Sequence, residues 1–485
     1  MSSIITNVQG DRRRWLALVV VCLAQLMVVL DATIVTVALP AIQHDLHMSQ
    51  AHLTWIVNAY LITFGGLLLL AGRLGDLLGR RTVFLAGIAA FTAASALCAI
   101  AESSGMLIVA RLLQGVGAAV CSSVVLAIVA SEFREPTERA KAMSMYMIVS
   151  LSGGSIGLLV GGALVQALDW HWIFAVNLPI GLVAFVAARA LVSRDRGLGL
   201  GQGVDVLGSL LVTGAVMLLA YTIVTASEHG WLSVHTLGLG AVVAGMLAAF
   251  LVLESRLENP IMPLRILRLR SLIDSSIVRG LVYAGMYSMF FFGALNLQRI
   301  LGLSALATGA AFLPMTLTVA TSSLVLTPRL LARFGPKRTL IPGLALIAAG
   351  LVVLTQSGQD ATYVSGPLIA FLLFGVGAGL TFVPLLTIAM SEVPPADAGL
   401  ASGIVNVSMQ VSAAIGLAAM GSIATSRTSD LTARGDGPLQ ALLGGYHLVF
   451  GLSAILLVGA ILLAVTLLRS PSRPERSPAT ASVPA

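Results

Sequence analysis

Charge is what this sequence has least of. Asp, Glu, Lys and Arg make up 10% of its 485 residues while 57% are hydrophobic, and the mean hydropathy is +0.97. Soluble domains carry about 25% charged residues, so a water-solvated globule is excluded. Cysteine is nearly absent: Cys22, Cys98 and Cys121 each lie in an apolar run, and three residues at such spacing define neither a disulfide framework nor a metal site. Only two lysines, Lys141 and Lys337, stand against 26 arginines, the bias of a GC-rich bacterial genome such as an actinobacterial one. The Gly-rich stretch at 72–81 lacks the phosphate-loop spacing G-x-x-x-x-G-K-[ST], which argues against a nucleotide site. No nucleophile–base pair or cluster of His and Asp is visible, so the chain does not read as an enzyme. His44, His47 and His52 read as loop residues, not metal ligands. No metal, no cofactor and no nucleic-acid partner is expected, and the net charge of +7 has a better explanation in topology.

Apolar runs of 18–25 residues recur from end to end, each long enough to cross about 30 Å of hydrocarbon. They fall at 15–39, 53–71, 82–101, 106–130, 141–167, 172–192, 205–226, 234–253, 272–297, 304–327, 339–357, 363–390, 398–423 and 447–469, the seventh, eighth and the polar interruption at 425–445 being the weakest. With a cytoplasmic N-terminus, inner segments collect 23 of the 28 basic residues and outer loops only Arg299, Arg427 and Arg434. The remaining two, Arg111 and Arg279, fall within spans. This asymmetry follows the positive-inside rule and predicts fourteen spans with both ends in the cytoplasm. The apolar run after residues 12–14 is too long for a signal-peptide core and is expected to stay as the first span. A Pro/Ser/Arg-rich tail at 470–485 is expected to be disordered, and 254–271 to form either a short surface helix or plain linker.

Two features stand out against this background. Asp31 sits in "VVLDATIVTVALP" (28–40), where a carboxylate is costly unless paired or protonated. Asp31 is roughly 12 Å and Arg111 roughly 7–8 Å from the outer ends of their helices, depths similar enough to pair. Such a pair could simply fix helix packing. It could equally act as a proton switch, since dehydration favours the neutral carboxyl and a guanidinium favours the anion. The second feature is a repeat: "GRLGDLLGRRTVFLAG" (72–87) returns as "PRLLARFGPKRTLIPG" (328–343) 256 residues later, with Ala332 in place of Asp76. Two related six-helix bundles separated by two extra helices would produce it.

At this point the chain resembles the major facilitator superfamily, and within it the fourteen-helix drug:proton antiporter branch. The likeness is carried by "LDATIVTVALP" (30–40), "GRLGDLLGRR" (72–81), "RLLQGVGAA" (111–119), "GGSIGLLVGG" (153–162), "WHWIFAVNLPIG" (170–181) and "GLASGIVNVSMQ" (399–410), in order along nearly the whole chain. One departure is Leu158, where the family's fifth-helix motif usually has proline. The resemblance implies an all-α polytopic membrane protein in the bacterial cytoplasmic membrane. Its parts would be a cytoplasmic N-terminus (1–14), an N-terminal bundle (15–192), a linker with two added spans (193–271) and a C-terminal bundle (272–469). It implies a monomer that exports lipophilic or cationic small molecules against protons by alternating access. Asp31 and Arg111 would serve proton coupling. Gly72, Asp76, Gly79, Arg80 and Arg81 would form a conformational latch, with Asp76 at a helix N-terminus of the other bundle and the arginines tying the inner faces together.

Gly153, Gly157 and Gly161 repeat every four residues and, with Gly162, suit close helix approach, with a hinge-like contact between the bundles as the antiporter reading. Gln25, Asn58, Gln114, Asn177, Asn296, Asn406 and Gln410 either line a central cavity or bond neighbouring helices. Met286, Phe290, Phe291 and Phe292 could meet a lipophilic substrate but read as lipid-facing. Arg279 and Asp274, near the inner end of their helix, are expected to snorkel. An exporter of a single endogenous antibiotic or lipid, and an uptake symporter, remain as alternatives.

Overall fold

The computed structural model describes residues 2–133, 135–195, 197, 199, 205–257, 264–358, 361–394 and 398–468. The tail at 470–485 and, within 254–271, residues 258–263 lie outside them; the described part includes a 3-10 turn at Leu264–Arg268. Every regular element among the described residues is helical. In chain order they are α1 (Ser2–Asp45), α2 (Gln50–Leu78), α3 (Arg80–Ala99), α4 (Ser104–Glu132), α5 (Pro136–Ala167), α6 (Trp172–Ala175), α7 (Asn177–Leu191), α8 (Val206–His229) and α9 (Val234–Arg256). There follow α10 (Arg270–Arg299), α11 (Ala305–Ala311), α12 (Leu313–Thr321), α13 (Thr327–Phe334), α14 (Pro336–Thr355), α15 (Pro367–Ala389), α16 (Ala398–Ala433) and α17 (Pro438–Thr466). Eleven described helices are long and apolar enough to cross a membrane. Three shorter apolar helices, His52–Leu68, Ile156–Ala167 and Leu210–Ile223, coincide with the second, fifth and seventh expected spans. The helices run past the expected edges, and 425–445 is largely helical, with a turn only between α16 and α17.

Local chemistry explains the ends. Ser49, Ser103, Ser233 and Ser304 cap α2, α4, α9 and α11 by accepting a backbone N–H three residues on, as N-cap hydroxyls do. The tenth expected span is broken into α11, α12 and α13. Pro314 and Pro328 each remove a backbone donor, and a π-helical turn at Ser322–Leu326 precedes the second, the usual response to a lost i−4 bond.

The repeat is written into the packing. Gly79 and Gly335, separated by the same 256-residue offset, both adopt positive φ (94° and 79°) between two helices, a conformation that glycine adopts without strain. A Cβ on Gly115 would strike the Tyr60 carbonyl and Thr63 hydroxyl; one on Gly375 would strike the Met315 carbonyl and Thr318 hydroxyl. A Cβ on Gly117 would lie 2.6 Å from Phe91 Cα, and one on Gly377 2.8 Å from the Ile347 nitrogen. The sequences agree once aligned this way: "RLLQGVGA" (111–118) against "FLLFGVGA" (371–378). Arg111 and Gln114 of the first half are Phe371 and Phe374 in the second. Those two rings, 1% and 2% exposed, join a cluster in which Phe312 stacks on Phe371 at 4.8 Å and on Phe290 at 5.5 Å, with Phe374 edge-on to Phe290 at 6.3 Å.

Two expectations about burial are corrected here. Phe291 and Phe292 are 2% and 0% exposed and Phe290 joins the cluster just described, so this aromatic run faces the interior rather than lipid. Arg279 does not snorkel: it is 4% exposed, turned between α10 and α16. The three cysteines are buried free thiols.

Replacing Gly117 by leucine forces two backbones apart, and we expect it to cost about 1–3 kcal/mol or more. Gly238, on α9 with open space around its Cβ position, should instead gain about 0.5–1 kcal/mol as alanine from helix propensity. Thermal unfolding of the two purified variants in detergent, shifting in opposite directions, checks the assignment.

Candidate functional site

Asp31 lies in the second half of α1 and is 0% exposed. It projects toward α4 and α7, because the neighbouring face of α1 is pressed onto α5. A Cβ on Gly157 would meet Leu30 Cα at 3.2 Å and its carbonyl at 2.9 Å, and one on Gly161 would meet the Ile34 carbonyl at 2.9 Å. The small residues of α5 thus hold α1 at backbone distance and leave Asp31 directed the other way.

Three donors hold the carboxylate. Arg111 Nη1 donates to Oδ2 at 2.6 Å. Gln114 Nε2 donates to Oδ1 at 2.7 Å, and Asn177 Nδ2 to the same oxygen at 2.9 Å. Arg111, 1% exposed, also gives Nη1 to Gln114 Oε1 at 2.6 Å and Nε to the Ile56 carbonyl at 3.0 Å. Its guanidinium lies 4.4 Å from the Tyr60 ring centroid and 5.7 Å from that of Phe174, so aromatic faces cover what carboxylate and carbonyl leave open. Gln114 continues to the Ser95 hydroxyl at 2.8 Å, which donates onward to the Phe91 carbonyl. Helices α1, α2, α3, α4 and α7 therefore meet in one polar knot inside an apolar core. Ion pairs this deep survive only when further hydrogen bonds offset their dehydration, and here they do.

The pairing of Asp31 with Arg111 is thus a geometric fact. Gln114 and Asn177, read from sequence as cavity-lining or helix-bonding, are ligands of Asp31. The i, i+3 spacing of Arg111 and Gln114 puts them on one helix face and was the available signal. Tyr60 and Ser95 carried no such signal, being a single aromatic and a small hydroxyl among many. Of the other amides, Asn58 is 0% exposed with both side-chain polar atoms unpartnered, Gln25 Oε1 and Asn296 Nδ2 are buried and unpartnered, Asn406 is half-buried, and Gln410 lies where α16 meets Gly65 of α2.

Other expected groups fall elsewhere. Gly153, Gly157 and Gly161 pack on α1 within the same half, and only Gly162 reaches across, against Ala305 and Leu306. One residue of offset, about 100° of helix rotation, separates the two roles. The carbonyl of Leu158 likewise lies beside Gly309 of α11. At the 72–81 loop, Gly72 has open space beside it and the side chain of Asp76 is outside the described residues. Arg80 and Arg81 do not span the halves in the contacts described. Their backbone N–H groups donate to Asp195 Oδ2 and Oδ1 at 2.8 and 3.2 Å, the Arg80 guanidinium to the Ala127 carbonyl at 3.4 Å, and Arg81 to the Arg189 carbonyl. Asp195 was not singled out from sequence. It caps α3 from the loop after α7, a favourable place for an anion. No group of three or more His, Cys, Asp or Glu able to hold a metal occurs among the described residues.

A multi-helix apolar bundle with a dehydrated ion pair at its centre defines a multi-pass membrane protein of transporter type. Residues 21–417 match the Major Facilitator Superfamily, and the chain belongs to that family, one of transporters and not of enzymes. It is similar to a puromycin resistance protein of Streptomyces alboniger (39% identical over 463 residues, 94% of this chain and 91% of that protein). A cephamycin export protein of Amycolatopsis lactamdurans is 36% identical over 422 residues, 85% of each chain. Among solved structures, the fold is shared with the POT family transporter PepTSo at TM-score 0.68 and 17% identity, over 94% of this chain and 98% of that one.

The polar knot makes a stability prediction. Arg111→Gln strands a buried carboxylate and should cost about 3–5 kcal/mol, whereas Asp31→Asn with Arg111→Gln should recover a large part of that loss. A double-mutant cycle on thermal unfolding in detergent, with a coupling above about 1 kcal/mol, is the expected result.

Proposed function

We propose that this protein is a proton-coupled exporter of small lipophilic molecules, antibiotics among them, in a bacterial cytoplasmic membrane. It spans the bilayer fourteen times with both ends in the cytoplasm. Bundles at 15–192 and 272–469 rock about a central site, with 193–271 contributing the two added spans, and the protein works as a monomer. Export is supported by relatives whose names state antibiotic resistance and export. The coupling rests on one observation: a carboxylate at 0% exposure whose oxygens are held by donors from two other helices.

The chemistry follows from that geometry. While Arg111, Gln114 and Asn177 face Asp31, three donors favour the anion; if α4 or α7 withdraws, dehydration dominates and the carboxyl takes up a proton. Proton uptake removes the charge that holds Arg111, so the knot loosens and the helices that form it can part. Binding a proton from the outer side and releasing it inside would then drive one half-cycle, with cargo driving the other. A second reading, a dedicated exporter of one compound, is favoured by three relatives named for puromycin, cephamycin and tetracenomycin C one at a time, whereas others are named as multidrug proteins.

Purified protein in liposomes with an acidic lumen, offered puromycin, tetracenomycin C and ethidium, tests both. The wild type should accumulate at least one of them above the leak, and an uncoupler should abolish the excess. Asp31→Asn should lose about tenfold or more of gradient-driven uptake while keeping cargo-for-cargo exchange. Full gradient-driven uptake by that variant overturns the role of Asp31, and uptake of one compound alone selects the second reading.

A further inference from the structure

Arg279 is a second buried cation that the proton knot does not use. It stands nine residues into α10, roughly 13 Å along the helix from Arg270, and is 4% exposed. Its Nη1 lies 3.6 Å from the sulfur of Met409 on α16, and its Nε and Nη2 have no partner. No described carboxylate pairs with it; Asp274, the nearest along the chain, is about 140° round the helix. One turn earlier, Ser275 and Ser276 are 0% and 8% exposed and their hydroxyls are also unpartnered. A guanidinium out of water without a counter-charge is costly, and polar atoms buried without partners are rare. Three such side chains within five residues of one helix mark a place prepared for something else.

The open atoms define its chemistry. Nε and Nη2 form the edge of the guanidinium that meets a carboxylate or phosphate side-on through two parallel hydrogen bonds. The third nitrogen is turned to Met409, a soft and weak acceptor, so the fork stays free. Hydroxyls at i−4 and i−3 lie on the same side of α10 and can donate to the lone pairs that the fork leaves open on a carboxylate, or to a further phosphate oxygen. The site also lies at the seam between the halves. Met409 is followed by Gln410, against which Gly65 of α2 packs, and Ser412 presses on Gly280.

We infer that Arg279, with Ser275 and Ser276, is an oxyanion subsite that takes the carboxylate or phosphate of an exported molecule. The inference rests on the export reading and narrows its cargo toward lipophilic acids. The same oxyanion chemistry is offered by an anionic phospholipid headgroup.

Binding separates these without any transport step. The probes are dodecanoic acid labelled with nitrobenzoxadiazole and its methyl ester, titrated at pH 8 by fluorescence anisotropy onto the full-length protein in phosphatidylcholine nanodiscs. The acid should bind wild type about tenfold more tightly than the ester, as hydrogen bonds to a charged group imply. Arg279→Gln should erase that ratio with ester binding unchanged, which also reports an intact fold. Arg279→Lys, keeping the charge without the fork, should fall between. Equal binding of acid and ester by wild type, or an unchanged ratio in Arg279→Gln, overturns the subsite. Replacing a third of the lipid by phosphatidylglycerol should leave the wild-type ratio in place; its collapse makes the headgroup the occupant and overturns the cargo assignment. Each of these results leaves gradient-driven uptake, and the role of Asp31, to stand or fall separately.

Discussion

The first half of this molecule is organised around keeping one carboxylate out of water. Asp31 demands a cation, and Arg111 demands in turn a carbonyl, an amide and aromatic faces. The result is that α1, α2, α4 and α7 are locked to one another by the needs of two charges. Everything else about the half follows the ordinary rules of apolar helices meeting over small residues. The charges therefore specify a unique arrangement that hydrophobic packing alone, indifferent to small rotations, does not.

The second half shows what the same scaffold looks like without that demand. Gly375 and Gly377 make the same backbone contacts as Gly115 and Gly117, so the helix geometry survives the repeat. At the positions of Arg111 and Gln114 stand Phe371 and Phe374, which stack with Phe290 and Phe312. Aromatic rings accept offset and edge-on arrangements, and both occur here. The two copies thus differ in chemistry: one half holds a dehydrated ion pair, while the other offers an apolar interior and, at Arg279, a buried guanidinium with no described carboxylate partner.

Much of this was legible in the sequence, for physical reasons. Lipid solvation leaves long apolar runs that periodicity cannot hide, and charges within them are so costly that Asp31 and Arg111 announce themselves. The i, i+4 glycines of α5 were equally plain. What stayed hidden was direction. Whether Phe291 faces lipid or interior, or Arg279 bends inward or toward headgroups, depends on how a helix is rotated against its neighbours. An apolar helix in an apolar solvent carries little moment to reveal that. Ser95 and Asp195 were hidden for another reason. Each acts through a partner distant in sequence, and a single serine or a loop aspartate is chemically unremarkable until that partner is beside it. The match of 111–118 with 371–378 lay in plain view, but its meaning, shared backbone contacts under opposite side-chain chemistry, requires the packing.

The packing also supplies a route by which movement of one half could reach the carboxylate in the other. Gly162 and the Leu158 carbonyl of α5 touch α11, and Gln298 of α10 donates to the Val37 carbonyl of α1 at 3.0 Å, six residues beyond Asp31. On its other side α5 grips α1 through Gly157 and Gly161, immediately flanking the residues next to Asp31. A rocking of the second half, as the proposed mechanism requires, would load α1 from two sides at once. Leu158 bears on this. With leucine in place of the proline usual in the family's motif, α5 runs unbroken from Pro136 to Ala167, and a continuous helix transmits displacement where a proline-loosened one would absorb it. Contacts alone do not establish coupling. The element they converge on is a carboxylate held by three donors, and the proposed coupling requires a second state in which the neutral acid is free of them.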